Sequence, residues 1–418
     1  MTQKLQLVDE GKARIHAYLL PAKEQLAHGE EENLDKWEQK VVPTRGMPVF
    51  YNPAMVQNRN ISVLAVHAWK EKVKGVISIA DAMCGAGIRG IRYLLEAGPG
   101  NIHVDFVDLN PAATRTCKDN VALNNIEPAL CDIHTQDSNA FLFGRGIEEE
   151  SRFAVVDIDP FGNPMHYITS GLKALRYNRG LLHVNATDLA VLCGVHMKAT
   201  LRKYQSKPLR NVHYHAEMAA RVLAGAIFRK AMEIDCTIKP LITVARHHFV
   251  KIILEKISSI NKANEDLEHN LGYILHCREC KDHAIIETKA MAITHACPSC
   301  NSPNIQLGGP LWIGKIQDGE FCTALRDNFK AFMYMQGKQE LKKLLGECTD
   351  EAGMPPLSHD IHEICESLKL SPPSMDAILD QLKAQGWPVS RDSINPRAIK
   401  TAARRNDIAR ILVNLKRP

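Results

Sequence analysis

Val76-Ile77-Ser78-Ile79-Ala80-Asp81-Ala82-Met83-Cys84-Gly85-Ala86-Gly87-Ile88-Arg89-Gly90 reads as a buried strand that ends in a carboxylate, turns on glycine and opens a helix. Gly85, Gly87 and Gly90 let the backbone turn sharply and let a ligand lie close against it. The pattern suits a nucleotide-type ligand, and alone it does not choose between a dinucleotide and S-adenosylmethionine (AdoMet). Outward from this loop, apolar runs alternate with amphipathic stretches. Strands are predicted at residues 76–80, 103–107, 153–158, 180–186 and 241–244, and helices at 88–96, 111–124, 165–175 and 216–232. The alternation predicts an α/β domain: a mostly parallel, Rossmann-like sheet with helices on both faces, whose ligands bind beyond the strand carboxyl ends.

Three carboxylates follow that edge. Asp108 closes the next strand and suits both hydroxyls of a ribose, which NAD and AdoMet share. Asp81 favours AdoMet, because a carboxylate at the first strand end suits an amine or sulfonium better than a pyrophosphate. Asp137-Ser138 offers a partner for an adenine amino group, or else a helix cap. A fourth group, Asp159-Pro160-Phe161-Gly162, ends the run Phe153-Ala154-Val155-Val156-Asp157-Ile158. Alone it reads equally well as a turn. Beside a methyl donor it suits a flat ring bearing an exocyclic amine. Such an amine is a poor nucleophile, because its lone pair is delocalised into the ring. The Asp159 carboxylate and the Pro160 carbonyl can accept its N–H bonds and aim that lone pair, and one of them can take the proton. Help of this kind is typically worth roughly 10²–10⁴-fold. Stacking of Phe161 on the base contributes ~1–3 kcal/mol. Asp157, mid-strand, reads as structural.

The 418 residues suggest two or three domains, and 45% hydrophobic and 24% charged residues are ordinary for a globular chain. Net charge is only +5, but it is clustered. Residues 196–230 hold eight Lys or Arg against one acidic residue, and 391–418 hold eight against two. Two basic patches suggest a polyanion bound across domains. Glu30-Glu31-Glu32 reads as a solvated loop within a polar, irregular first 45 residues. No apolar leader or membrane-length stretch is present, so free cysteines in a cytoplasmic, reducing compartment are expected.

The chain resembles the AdoMet-dependent tRNA (guanine-26-N2)-dimethyltransferases. The resemblance rests on Pro48-Val49-Phe50-Tyr51-Asn52-Pro53 with Asn58-Arg59; Gly87-Ile88-Arg89-Gly90-Ile91-Arg92; Asp157-Ile158-Asp159-Pro160-Phe161-Gly162; Ala186-Thr187-Asp188 with Leu192-Cys193-Gly194; and Leu201-Arg202-Lys203-Tyr204 with Pro208-Leu209-Arg210. It spans residues 48–244 and continues more weakly beyond. It implies a class I methyltransferase domain, Arg59, Arg89, Asp108, Asp137 and Ser138 around AdoMet, Asp159 as catalytic carboxylate, and Phe50 and Phe161 around the target guanine. Arg59 and Arg89 also read as structural ion-pair partners. Asn60 stands where the family usually has Asp, and Val191 where it has Pro. A guanine amine buried in a folded RNA is not reachable in place, so the base is expected to flip out at a cost of a few kcal/mol. The competing readings are another AdoMet enzyme acting on an exocyclic amine of nucleic acid, a zinc-containing winged-helix regulator, and, least, a NAD dehydrogenase.

Of 12 cysteines, four stand as Cys277-x-x-Cys280 and Cys297-x-x-Cys300. This is zinc-ribbon spacing, and four thiolates close a tetrahedral shell around a structural Zn²⁺. His276, His283 and His295 are read as non-ligands. Residues 261–268 read as a linker or insertion. Beyond it, the apolar faces Ile361, Ile364, Cys365, Leu368 and Met375, Ile378, Leu379, Leu382 flank Ser371-Pro372-Pro373-Ser374, and Trp387-Pro388-Val389 follows Gly386. That is a helix-turn-helix with a wing. The expected division is a methyltransferase domain over 1–255 and a C-terminal tRNA-binding α+β domain over 256–418, containing the zinc unit 277–300. No obligate protein partner and no membrane are expected.

Overall fold

The computed structural model describes residues 5–18, 48–49, 51–73, 75–246, 248–288 and 296–415. A hairpin of β1 (Leu5–Glu10) and β2 (Ala13–Tyr18) precedes a seven-stranded sheet of β3 (Ile77–Asp81), β4 (Ile102–Asp108), β5 (Cys131–Thr135), β6 (Val155–Ile158), β7 (Gly180–Ala186), β8 (Thr237–Arg246) and β9 (Phe249–Ile257). Its order is β5-β4-β3-β6-β7-β9-β8. β3 to β7 are parallel, and β9 runs antiparallel between β7 and β8. The chain winds outward from β3 to β5 and then returns to place β6 on the other side of β3. That reversal opens a crevice at the carboxyl ends of the central strands, where such sheets bind ligands.

Alternate residues of each strand enter opposite cores, as a period of two demands. Ile77, Ile79, Val104, Phe106, Val155 and Leu181 face one core, and Ala80, Val107, Val156, Ile158, Leu182 and Val184 the other. The helices are α1 (Val56–Trp69), α2 (Ile88–Arg92), α3 (Pro111–Leu123), α4 (Ser138–Arg145), α5 (Ile168–Ala174), α6 (Leu189–Leu192), α7 (Met197–Tyr204) and α8 (His215–Met232). The first core takes α1, α2 and α3, and the second takes α4, α5 and α8.

Four differences from the sequence reading have local causes. The helix expected over 88–96 is α2 followed by a π-turn over Tyr93–Ala97. Residues 5–18 of the polar start form a hairpin. β5 carries polar residues at an edge, so its apolar run is too weak to read. The supposed linker is largely α9 (Ile260–His269), capped by Ser259, whose hydroxyl accepts from the Lys262 N–H. The acidic run Glu30-Glu31-Glu32 lies outside the described residues.

β10 (Leu271–Cys277), β11 (His283–Glu287) and β12 (Ile305–Trp312) form an antiparallel sheet in the order β11-β10-β12. α10 (Gly319–Asn328) and α11 (Lys338–Asp350) return to the first core, where Phe321, Leu325, Leu341 and Leu345 join Ile61 and Trp69. A last unit comprises β13 (His359–Asp360), α12 (Ile361–Ser367), α13 (Met375–Ala384), β14 (Val389–Arg391), β15 (Ala398–Thr401) and α14 (Arg405–Asn414). Its core holds Ile361, Ile364, Ile378, Leu382, Ile399 and Ile408. Ser374 caps α13 as its position after two prolines suggests. Among the described residues no helix is long and apolar enough to cross a membrane.

The N-terminal hairpin is held by buried charge. Glu10 takes Arg59 Nη2 at 2.5 Å, Arg92 Nη1 at 2.8 Å and the Tyr51 hydroxyl at 2.9 Å. Burial alone would raise the Glu10 carboxyl, but the two guanidiniums outweigh it and hold the group at about 2, below its ordinary 4.5. A carboxyl depressed on folding contributes stability above its unfolded value and loses it as the pH falls toward the folded one. The shift corresponds to roughly 3 kcal/mol. In urea unfolding, wild type is expected to lose about that much more stability than Glu10→Gln between about pH 5 and about pH 2.

Candidate active site

The glycine loop is stitched to its neighbours at the sheet edge. Asp81 is buried, and its Oδ2 accepts the Gly90 N–H at 3.0 Å. Burial, with Asp157 nearby, pushes its carboxyl up to about 7. Gly87 precedes α2 with φ of 82°, and a Cβ there would press into the Cys117 sulfur, so only glycine fits. Asp108 Oδ2 accepts the Gly85 N–H at 3.0 Å, and its Oδ1 accepts the Asn110 N–H at 2.9 Å. Each oxygen keeps a second lone pair for a ligand. Asp137 caps α4 through the Ala140 N–H at 2.9 Å, and the Ser138 hydroxyl donates to the Ala82 carbonyl. The loops after β3, β4 and β5 therefore converge, bringing Asp81, Asp108 and Asp137 to one edge.

Immediately past β6, Asp159 meets Arg89. The buried Arg89 guanidinium donates to Asp159 Oδ2 and, through Nη1, to Asn58 Oδ1 (3.1 Å) and Ser62 Oγ (2.9 Å); Asp157 lies 3.6 Å away. Asp157 also accepts from the Tyr93 hydroxyl at 2.5 Å and lies 3.2 Å from His183 Nδ1. Burial would raise Asp157, but Arg89, Lys251 and His183 hold it well below the usual carboxylate range. Burial pushes His183 down to about 4 and Lys251 down to about 7. Asn58 donates to Asn185 at 2.6 Å, and Lys251 Nζ reaches Asn185 Oδ1 at 3.2 Å. A continuous buried polar network thus runs from Lys251 to the half-buried Asp159.

Asp157 occupies the structural place expected of it. Arg89 pairs directly with Asp159. Arg59 is buried on Glu10, and its Nη2 also donates to the Asn52 carbonyl at 3.0 Å. Phe50 and His295 lie outside the described residues. The sequence reading missed Ser62, Tyr93, His183, Asn185 and Lys251, and quoted Asn58 without assigning it. Their signal is a polar residue inside an apolar run, which is costly unless it has partners.

The turn after Asp159 is braced. Gly162 has φ of 79°, its N–H donates to Thr187 Oγ1 at 2.8 Å, and its carbonyl accepts the Thr187 N–H at 3.0 Å. Phe161 is 66% exposed. Next to Thr187, Asp188 accepts from the Tyr204 hydroxyl (2.6 Å) and from Lys203 (3.2 Å). The first basic patch divides. Lys198, Arg202, Lys203, Lys207 and Arg210 are exposed, while Arg221 is buried on Glu217. In the second, Arg397, Arg404 and Arg410 are exposed, while buried Lys400 also reaches Glu217, at 3.0 Å.

Away from this edge, the four cysteines assemble. Cys277 Sγ lies 3.6 Å from Cys300 Sγ, and Cys280 Sγ 3.6 Å from Cys297 Sγ, with all four sulfurs within 4.8 Å of one another. Each pair sits on a matching knuckle: Lys281 and Asn301 have φ near +60°, and their N–H groups donate back to the Cys277 and Cys297 carbonyls. Sulfurs ~2.3 Å from a tetrahedral zinc lie ~3.8 Å apart, so the cluster is compatible with structural zinc.

A sequence model of the family described as N2,N2-dimethylguanosine tRNA methyltransferase matches residues 29–413. The tRNA (guanine(26)-N(2))-dimethyltransferase of Methanothermobacter thermautotrophicus is 37% identical over 374 residues, 88% of this chain and 93% of that protein. The enzyme of the same name from Methanopyrus kandleri is 32% identical over 385 residues, 90% of this chain and 94% of its own. A solved structure of Trm1 from Pyrococcus horikoshii in complex with S-adenosyl-L-methionine superposes with a TM-score of 0.79 at 27% identity, covering 98% of this chain and 100% of that one. With a glycine loop, an acidic strand edge and Asp159 on one side of a seven-stranded sheet, the chain belongs to the N2,N2-dimethylguanosine tRNA methyltransferase family.

Proposed function

We propose that this enzyme transfers one or two methyl groups from AdoMet to the exocyclic N2 of guanine 26 in tRNA, in the cytoplasm. The observation that carries the reading is Asp159. It is a half-buried carboxylate whose Oδ2 is held by Arg89, beside the exposed Phe161 ring and on the same edge as Asp81, Asp108 and Asp137. The donor set fits AdoMet: Asp81 for its cationic end, Asp108 for the ribose hydroxyls, Asp137 and Ser138 for the adenine edge, and Gly85 and Gly87 for close backbone approach. Bound AdoMet supplies an electrophilic sulfonium methyl.

The chain's own residues prepare the nucleophile. Arg89 fixes Asp159, leaving Oδ1 for an N–H of the guanine amine, while the Pro160 carbonyl takes the other. Phe161, with Phe50, flanks the flipped ring. As the N–C bond forms and the S–C bond breaks, Asp159 accepts the proton that the amine releases. Arg59 acts from a distance by anchoring the hairpin and Asn52, next to the segment that carries Phe50. The cysteine-bearing sheet of β10 to β12, as a zinc ribbon, and the winged-helix-like unit from β13 onward complete the tRNA-binding part, while α10 and α11 pack into the sheet domain. The exposed cations of α7 and of the C-terminal unit suit phosphates.

Incubation with labelled AdoMet and unmodified tRNA, followed by nucleoside mass spectrometry, should yield N2-methylated guanosine; its absence refutes the reading. Asp159→Asn is expected to lower turnover by about 10²–10⁴-fold while calorimetry finds AdoMet affinity nearly unchanged. Cys277→Ser should release the thiolate-bound zinc and lower the unfolding midpoint, with the chemical step of the folded fraction intact. Full zinc retention by that variant would refute the ligand set.

A further inference from the structure

A second cluster joins the cysteine-bearing sheet to the C-terminal unit. Asp282 immediately precedes β11, His283 opens β11, and His359 opens β13. One ligand atom from each lies within 4.8 Å of the others. The two imidazoles stack with centroids 4.7 Å apart and planes 28° from parallel. His283 Nδ1 is buried and has no hydrogen-bond partner among the described residues. Leaving such a nitrogen unsatisfied in the interior is costly, so a partner is expected there. Asp282 is held in place: Oδ1 accepts the His283 N–H at 3.0 Å, and Oδ2 accepts the Ser299 hydroxyl at 2.5 Å. Both oxygens retain a lone pair.

Of the other polar groups nearby, His276 and His213 are engaged elsewhere, and Arg405 leans toward Glu363. His276 Nδ1 meets the Tyr214 hydroxyl at 3.1 Å, His213 Nδ1 lies 2.7 Å from Glu363, and Arg405 Nη1 lies 3.5 Å from Glu363. Asp282, His283 and His359 are left facing one another.

We propose that Asp282, His283 and His359 form a second divalent-metal site, separate from the four-cysteine cluster, that takes Zn²⁺ through two imidazole nitrogens and one carboxylate oxygen. Two nitrogens and a single oxygen suit zinc far better than calcium or magnesium, which require shells of oxygen. Burial and the neighbouring positive groups lower both imidazoles below their ordinary value, the direction that favours the lone-pair-bearing form a metal requires. Three protein ligands leave a fourth position for water. The ion fastens β13, and with it the whole C-terminal unit, to the sheet that carries the cysteines. It fixes the angle at which Arg397, Arg404 and Arg410 are presented.

The test is a metal count on the full chain, loaded with excess Zn²⁺ and cleared of loosely bound ion by gel filtration. Wild type is expected to hold about two equivalents by elemental analysis, and His359→Ala about one. X-ray absorption at the zinc edge should show mixed sulfur and nitrogen or oxygen neighbours in wild type, and sulfur alone in His359→Ala. About one equivalent in wild type, or an unchanged count in His359→Ala, overturns the proposal. If that variant does not fold, the wild-type spectrum decides by itself: an all-sulfur shell overturns the site, and a mixed shell supports it.

Discussion

Everything at the strand edge depends on one buried cation. Arg89 is only 5% exposed in its side chain, and an unpaired guanidinium at that depth costs several kcal/mol. The fold meets that cost with Asp157 from β6, Asp159 from the following turn, and Asn58 and Ser62 from α1. This arrangement of α1, α2 and β6 brings all five groups together at once. The geometry that balances the charge is therefore also the geometry that aims Asp159. Asp157 then needs partners of its own, which Tyr93 and His183 provide, and the polar thread continues to Lys251.

A similar economy governs the two basic stretches. Lys400, from the second, crosses to Glu217, within the first, where Arg221 already sits. Glu217 also accepts the Leu357 N–H at 2.9 Å. The only acidic residue in residues 196–230 is thus one fastening between the sheet domain and the C-terminal unit, beside the His213–Glu363 pair. Positive charge drawn inward there is charge withdrawn from the surface. A count of Lys and Arg therefore overstates the exposed positive charge, which only the burial of each residue identifies.

Much of the fold was legible because parallel strands leave continuous apolar runs and their carboxyl ends leave carboxylates. Asp81, Asp108 and Asp159 stand where their strands end, and the four cysteines meet as their spacing implies. The buried network was not legible, because it depends on strand order rather than chain order. His183 pairs in register with Asp157 because β7 lies beside β6, and Lys251 pairs with Asn185 because β9 inserts antiparallel between β7 and β8. α1 was missed because Asn58, Arg59, Asn60 and Ser62 are all buried, which erases the amphipathic period a helix usually shows. α10 and α11 follow the cysteine unit in the chain but belong to the first core of the sheet domain, a return that composition cannot announce.

The paired hydrogen bonds between Gly162 and Thr187 make the rim of the site a single plate rather than two loops. Its far margin is pinned where Asp188 meets Tyr204 and Lys203. Motion of either turn is therefore shared by the other, and stiffness at Phe161 is set partly by residues some forty positions later in the chain. A change at Thr187 or Tyr204 acts as a change in compliance: the reacting groups stay the same, but the edge that receives the base bends more readily.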